Sequence, residues 1–224
     1  MIDPEELYID GKLWGAKDNR FWCLLSTLLI KTEPTSILEI GAGRSTTFFS
    51  EYAVNRNTPF VSIEQSIDWY REIHRSLRFM FLPGSHIRHI PIDHESGWYD
   101  YNMAFEAIGD TAYDMVLIDG PTGRSGRRNQ RGNDILELAC RKSRMVIIDD
   151  THRDECLSFA NHICDRRQFQ TIADIKYQQR RKGVYDSNML TIATSEWSDI
   201  VKERIQDIYG TDGVTFLSHP SSRR

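Results

Sequence analysis

Seven short apolar runs, rich in β-branched residues, alternate with helical stripes along this chain, and that alternation constrains its fold more than any other feature. The runs are Ser36–Ile40, Phe60–Glu64, Ile87–Ile92, Asp114–Asp119, Arg144–Asp149, Gln170–Ile175 and Met189–Thr194. Runs of this length, bounded by turn residues, predict strands buried on both faces. Between them lie stripes at 3.6-residue spacing: Phe21, Leu24, Leu25, Leu28 and Leu29; Trp69, Tyr70, Ile73, Leu77 and Met80; Ile135, Leu136, Leu138 and Ala139; Leu157, Ala160, Ile163 and Cys164; and Ile200, Val201, Ile205 and Ile208. Strand and helix in alternation predict an α/β chain with a mainly parallel sheet and helices on both faces. The 13 residues between Ile175 and Met189 are polar and carry no stripe, so a hairpin joining two antiparallel strands is expected there.

Composition narrows the class. With 224 residues, 40% apolar and 27% charged, the chain reads as an ordinary globular protein. Collagen, coiled-coil and wholly disordered readings are excluded. The apolar stretch Phe21–Ile30 is too short to span a bilayer and contains Ser26 and Thr27. The start, Met1-Ile2-Asp3-Pro4-Glu5-Glu6, lacks the basic-then-apolar pattern of a leader. A cytoplasmic location without a membrane partner is expected. Basic residues number 28 and acidic residues 32, a net charge of −4, so nothing global favours nucleic acid. Cys23, Cys140, Cys156 and Cys164 show no C-x-x-C spacing and read as reduced thiols.

The chemistry concentrates at the first strand-to-helix junction, Glu39-Ile40-Gly41-Ala42-Gly43-Arg44-Ser45-Thr46. Glycines there let the backbone turn tightly and approach a ligand, at the strand end where open sheets bind one. Glu64 ends the second strand, 21 residues after Gly43, where an acid can accept both hydroxyls of a ribose. A dinucleotide fingerprint wants a third small residue, and Thr46 stands in that place. Glu39 would also repel a diphosphate and suits a zwitterionic amino-acid ligand better.

This E-x-G-x-G pattern resembles motif I of the class I S-adenosylmethionine-dependent methyltransferases, over roughly residues 20–195. The resemblance implies a Rossmann-like, seven-stranded sheet with the last strand antiparallel. It implies S-adenosyl-L-methionine as cofactor, with Gly41 and Gly43 at its methionyl part and Glu64 at its ribose. Glu39, Ser45, Thr46 and Gln65 flank that place. The family's adenine pocket follows the third strand, where Asp93 could accept from the adenine amino group and Trp98 could cover the ring. Both could equally be loop residues with a core-directed tryptophan.

Asp119 ends the fourth predicted strand, and Asp149 and Asp150 end the fifth. Clustered carboxylates repel unless protonated or bridged by a cation, and oxygen ligands suit Mg2+ or Mn2+. The set is similar to that of catechol- and macrocin-type O-methyltransferases, which implies metal binding by Asp119, Asp149 and Asp150. Capping of the following turn or helix is the competing reading. Asp119, Asp149 and His152 are the candidate catalytic groups, His152 as general base, and Asp119 also borders the cofactor. The segment Asp119-Gly120-Pro121-Thr122-Gly123-Arg124, with Gly126-Arg127, is similar to one in glucuronoxylan-methyltransferase-like proteins.

Two basic clusters follow: Arg124, Arg127, Arg128 and Arg131, then Lys176, Arg180, Arg181 and Lys182. They would attract an anionic substrate, with Arg124, Arg127, Arg180 and Arg181 as its ligands. Solvated loops are the alternative. The expected function is methyl transfer to an oxygen of a small polar or anionic molecule. A nucleic-acid or protein methyltransferase of the same fold, and an inactive binding protein, are the rivals. Asp119-Gly-Pro-Thr lacks the Asp/Asn-Pro-Pro-aromatic motif of N-methylating DNA enzymes. Tyr177 and Tyr185 beside the second basic cluster keep RNA open. Expected segments are an N-terminal helical lid over 1–35, a core over 36–196, and a C-terminal helix and tail over 197–224. A homo-oligomer is compatible with these features.

Overall fold

The computed structural model describes residues 8–9, 12–13, 19–121, 130–166, 169, 171–180, 184–210 and 214–216. In chain order its elements begin with β1 (Tyr8–Ile9), β2 (Lys12–Leu13), α1 (Asn19–Thr32), β3 (Ile37–Ile40), α2 (Arg44–Arg56), β4 (Phe60–Glu64) and α3 (Ile67–Phe79). They continue with β5 (Ile87–His89), β6 (Ile92–Asp93), β7 (Trp98–Tyr99), α4 (Tyr101–Ile108), β8 (Met115–Ile118) and α5 (Gln130–Cys140). The last are β9 (Met145–Ile148), α6 (Asp154–Arg166), β10 (Thr171–Arg180), β11 (Val184–Ala193), α7 (Ser195–Tyr209) and β12 (Val214–Phe216). The chain divides into two compact units, Pro34–Ser143 and Met1–Glu33 with Arg144–Arg224.

The unit Pro34–Ser143 is a parallel sheet in the order β8-β3-β4-β5. All four residues of β3 and of β8 are buried, as expected of strands covered on both faces. Two of its helices start on side-chain caps. The Ser66 hydroxyl accepts from the Trp69 N–H (3.3 Å) at α3, and the Asp100 carboxylate accepts from the Met103 N–H (2.9 Å) at α4. Helix α2 ends on Asn57, whose φ of +51° is the left-handed stop that asparagine tolerates.

In the other unit the strand order is β9-β11-β10-β12, and every neighbouring pair is antiparallel. Helix α1 buries Phe21, Trp22, Leu24, Leu25, Leu28 and Leu29 to 3% exposure or less and packs on α7. Arg20 of α1 lies over the Tyr209 ring of α7, 5.0 Å from its centroid. Arg144 stacks on Trp197 at 4.0 Å.

The expected strand scheme needs correction. The fold is α/β and Rossmann-like, but among the described residues, leaving the two short hairpins aside, each unit holds four sheet strands, eight rather than seven. The last strand is β12, which pairs only three residues with β10. Antiparallel pairing is not confined to one terminal strand. The polar stretch after Ile175 is mostly strand: Lys176–Arg180 pairs with Val184–Asn188, beyond the residues that meet β9 or β12. A ribbon there carries no alternating apolar pattern, so its sequence resembles a loop. The run Ile87–Ile92 breaks after His89, where Pro91 can give no N–H to a ladder. The hairpins β1–β2 and β6–β7 and the eight-residue α4 carry too little periodicity to be foreseen.

Candidate cofactor-binding site

The strands of the parallel unit end side by side. The Gly41 N–H donates to the Ile63 carbonyl (2.9 Å), the Asp119 N–H to the Ile40 carbonyl (2.8 Å), and the Ile90 N–H to the Glu64 carbonyl (2.8 Å). This places Gly41, Glu64 and Asp119 at one edge. Gly41 has a φ of +95°, and a Cβ there would stand 2.7 Å from the Asp119 carbonyl carbon. Only glycine fits both constraints. A Cβ on Gly43 would meet nothing within 4 Å, so the loop presents open space at its second glycine.

Glu39 is fully buried beneath this loop and collects three hydroxyl donors: Ser45 (2.5 Å), Thr46 (2.6 Å) and Ser62 (2.5 Å). Burial pushes its carboxyl up to about 7 against these hydrogen bonds, and the nearby Glu64 charge adds to the rise. Thr46 has a second task, since its hydroxyl accepts from the Gly43 N–H (2.8 Å). The position that lacks a third glycine thus ties the loop to Glu39. Ser45 and Thr46, expected beside the ligand, spend their hydroxyls on the loop itself. Ser62 lies opposite Glu39 in the β3–β4 register, a buried polar residue in a strand that sequence reading passed over.

Glu64 is 5% exposed, and its Oε1 accepts from the Ser66 N–H (2.7 Å). Burial pushes this carboxyl too up to about 7, against backbone hydrogen bonds from Ser66, Gln65 and Ala42. The Gln65 carbonyl accepts from His89 Nε2 (3.1 Å). Trp69 of α3 donates its indole N–H to the Ala42 carbonyl (2.8 Å), a second fastening of the loop that sequence periodicity counted only as core.

Asp93 turns its carboxylate on its own hairpin, accepting from the N–H groups of Glu95 (3.1 Å) and Ser96 (3.3 Å). Trp98 is 1% exposed and lies against Tyr99, as a core side chain does. Tyr99 was not foreseen. It is 1% exposed, and a Cβ on Gly120 would stand 2.8 Å from its hydroxyl. Burial, then the charges of Glu64, Asp119 and Glu39, raise this phenol well above its ordinary value, so it keeps its proton.

The remaining acids lie in the other unit. Asp149, just after β9, is 2% exposed. Asp150 has a φ of +57°, and its carboxylate pairs with Arg153 at 2.9 Å. His152 is on the same turn, its Nδ1 3.9 Å from the Asp150 carboxylate. Among the described residues, no group of three or more His, Cys, Asp and Glu side chains could hold a metal ion. The expected metal set of Asp119, Asp149 and Asp150 is not among such groups, and Asp150 faces the Arg153 cation on its own turn. Arg124, Arg127 and Arg181 lie outside the described residues, and of Arg180 only its backbone pairing with Val184 is described.

No protein-family model matches the chain, and no curated protein matches its sequence. Its structure resembles solved methyltransferases. An O-methyltransferase of Bacillus cereus in complex with S-adenosylhomocysteine is 16% identical, covers 79% of this chain and 82% of its own, and gives a TM-score of 0.52. An S-adenosylhomocysteine-bound methyltransferase of Podospora anserina is 13% identical, with coverage of 79% and 77% and a TM-score of 0.51. At these identities the likeness concerns the fold: this chain has the α/β, Rossmann-like fold of those methyltransferases.

Proposed function

We propose that this protein is an S-adenosylmethionine-dependent methyltransferase acting on an oxygen of a small polar or anionic molecule. The observation that carries the reading is the packed crossing of Gly41 on Asp119, with open space at Gly43 and the buried Glu64 at the same strand ends. These residues fit the cofactor. A carboxylate that ends the second strand suits a ribose diol, and a glycine loop free of side chains suits close approach of a methionyl group. The fold shared with two proteins solved with S-adenosylhomocysteine supports the same choice. When bound, the cofactor supplies a methyl group on a sulfonium.

Within this reading Gly41 and Gly43 form the cradle, Glu64 holds the ribose, and Asp119 borders the methionyl end. Gln65 and Asp93 flank the adenosine. Ser45, Thr46 and Glu39 set the loop. The protein's contribution is orientation of donor and acceptor, together with removal of the acceptor proton, for which His152 and Asp149 are the proposed groups. Arg124, Arg127, Arg180 and Arg181 are the proposed contacts for an anionic acceptor. Mg2+ and Mn2+ are given no step in this scheme, since among the described residues no group of three or more His, Cys, Asp and Glu side chains could hold a metal ion.

Calorimetric titration tests the reading. S-adenosylhomocysteine should bind and NADH should not, with no gain from Mg2+ or Mn2+. Binding of NADH in preference, or of neither, would overturn it.

A further inference from the structure

Helix α3 ends in an unusual turn. Phe79 is 87% exposed and Phe81 97%, the two most exposed large apolar side chains among the described residues. Phe81 has a φ of +58°. The Leu82 N–H donates to the Leu77 carbonyl (2.8 Å) and the Phe81 N–H to the Arg78 carbonyl (3.1 Å). That pattern places Phe81 at the left-handed C′ position of a Schellman motif, where glycine is favoured and a bulky side chain strains the backbone. The fold gains nothing from either ring. Their neighbours Met80 and Leu82 turn inward and pack on Ile73, Leu77 and Ile87.

Exposed cations lie near the two rings along the chain. Arg75, Arg78 and Arg88 are exposed. The Arg88 guanidinium donates to the Ser85 carbonyl, which holds it beside the turn. The acids of the helix lie further back, with Asp68 against Arg71 (3.5 Å) and Glu72 against Arg75. With Arg75 paired to Glu72, Arg78 and Arg88 leave the tip locally basic on a chain whose net charge is −4.

The place of the tip in the sheet matters. Helix α3 starts just after Glu64, at the edge that carries the glycine loop, and runs back along the sheet for 13 residues, about 20 Å. Leu82–Ser85 then leads into β5 at its N-terminal end. A partner held by Phe79 and Phe81 leaves the strand ends with Gly41 and Glu64 uncovered.

We propose that this turn docks peripherally on an anionic lipid surface, with Phe79 and Phe81 entering the interface and Arg78 and Arg88 at the headgroup phosphates. Composition gives no expectation of a membrane partner, and no described helix is long and apolar enough to cross a bilayer; the contact is local and superficial. The shape favours lipid over macromolecules. Two exposed rings at one helix end offer neither the roughly 800 Å² per partner of a stable protein interface nor the groove that tracks a single strand. A bilayer interface needs only inserted apolar groups beside cations.

The test is sedimentation of the full chain with phosphatidylcholine vesicles, with and without phosphatidylserine. Wild type should partition onto the anionic vesicles and be released by salt. The F79S/F81G double variant should bind them at least about tenfold more weakly. F81G alone should melt higher than wild type, because glycine relieves the left-handed position, so lost binding is not lost folding. Titration with S-adenosylhomocysteine should be the same in both proteins, which separates this outcome from that of the proposed activity. Equal vesicle binding by wild type and double variant, or none by either, overturns the proposal. So does a phenylalanine-dependent dimer in sedimentation velocity, or phenylalanine-dependent capture of a labelled oligonucleotide instead of vesicles.

Discussion

Gly41 and Gly120 meet backbone to backbone: a Cβ on Gly120 would stand 2.8 Å from the Gly41 Cα. The contact welds the end of β3 to the end of β8 and fixes where the loop can go. Gly41→Ala must move backbone and also hold an alanine at a φ of +95°, so a loss of about 2 kcal/mol or more in urea unfolding is expected. Gly43→Ala is the counterpart. Its methyl meets open space, so stability should stay within about 0.5 kcal/mol. Affinity for S-adenosylhomocysteine should nevertheless fall at least about tenfold, since the methyl fills the cradle. Unchanged affinity in Gly43→Ala would remove the loop from the cofactor site.

Glu39 gathers three hydroxyl donors beneath the glycine loop. Glu39→Gln keeps the shape but replaces one accepting oxygen by an NH2, which opposes a hydroxyl of Ser45, Thr46 or Ser62. A loss of about 1–3 kcal/mol in stability is expected, with cofactor affinity reduced as the Gly43–Thr46 turn loosens. Thr46→Val breaks the same turn from the other side, and the two changes together should cost less than their sum. Strict additivity in the double variant would show that Glu39 and Thr46 are not one network.

The local part of this site was legible. Glu39, Gly41, Gly43 and Glu64 fall at strand ends, and strand ends follow from apolar runs. What lay through space was not. Ser62 reaches Glu39 only through the β3–β4 register, Trp69 reaches Ala42 from the next helix, and Tyr99 sits in a hairpin with two-residue strands. The acids after β8 and β9 show the same limit. Asp119, Asp149 and Asp150 have the spacing of a metal set, but neither the backbone φ of +57° at Asp150 nor its pairing with the Arg153 guanidinium could be read from that spacing. Spacing along a chain fixes neither side-chain direction nor neighbouring charge.

The two buried carboxyls make both stability and binding depend on pH. Burial raises Glu39 and Glu64 from an ordinary 4.5 to about 7. Between those values the native chain holds protons that the unfolded chain has released. Their contribution to stability is therefore greatest below pH 4.5, falls as pH rises to about 7, and is level above. Glu64→Gln should flatten part of this slope in urea unfolding between pH 5 and pH 8. Ligand binding should run the other way, because an ionised Glu64 is the better acceptor for ribose hydroxyls. Affinity for S-adenosylhomocysteine should rise several-fold from pH 6 to pH 8, with proton release visible as a buffer-dependent heat. Binding indifferent to pH across that range would exclude Glu64 from the ribose.

His86 supplies an opposite limb. Its Nε2 is 2.8 Å from the Ser50 hydroxyl and its ring packs on Phe60 at 4.6 Å. Burial, then the positive neighbours His74 and Arg88, push it down to about 4 from an ordinary 6.5. A depressed histidine binds fewer protons in the native state between those values. Its contribution is fully present above pH 6.5 and is lost as pH falls towards 4. His86→Phe retains the ring contact, and Ser50 keeps the Thr46 carbonyl as its acceptor at 2.6 Å. The variant should be within about 1 kcal/mol of wild type at pH 8. At pH 5 it should gain on wild type, since the variant has no proton to take up on unfolding. The difference between the two unfolding curves isolates this group from Glu39 and Glu64, which both proteins share, and a difference that does not change between pH 5 and pH 8 would mean that His86 titrates as it does in water.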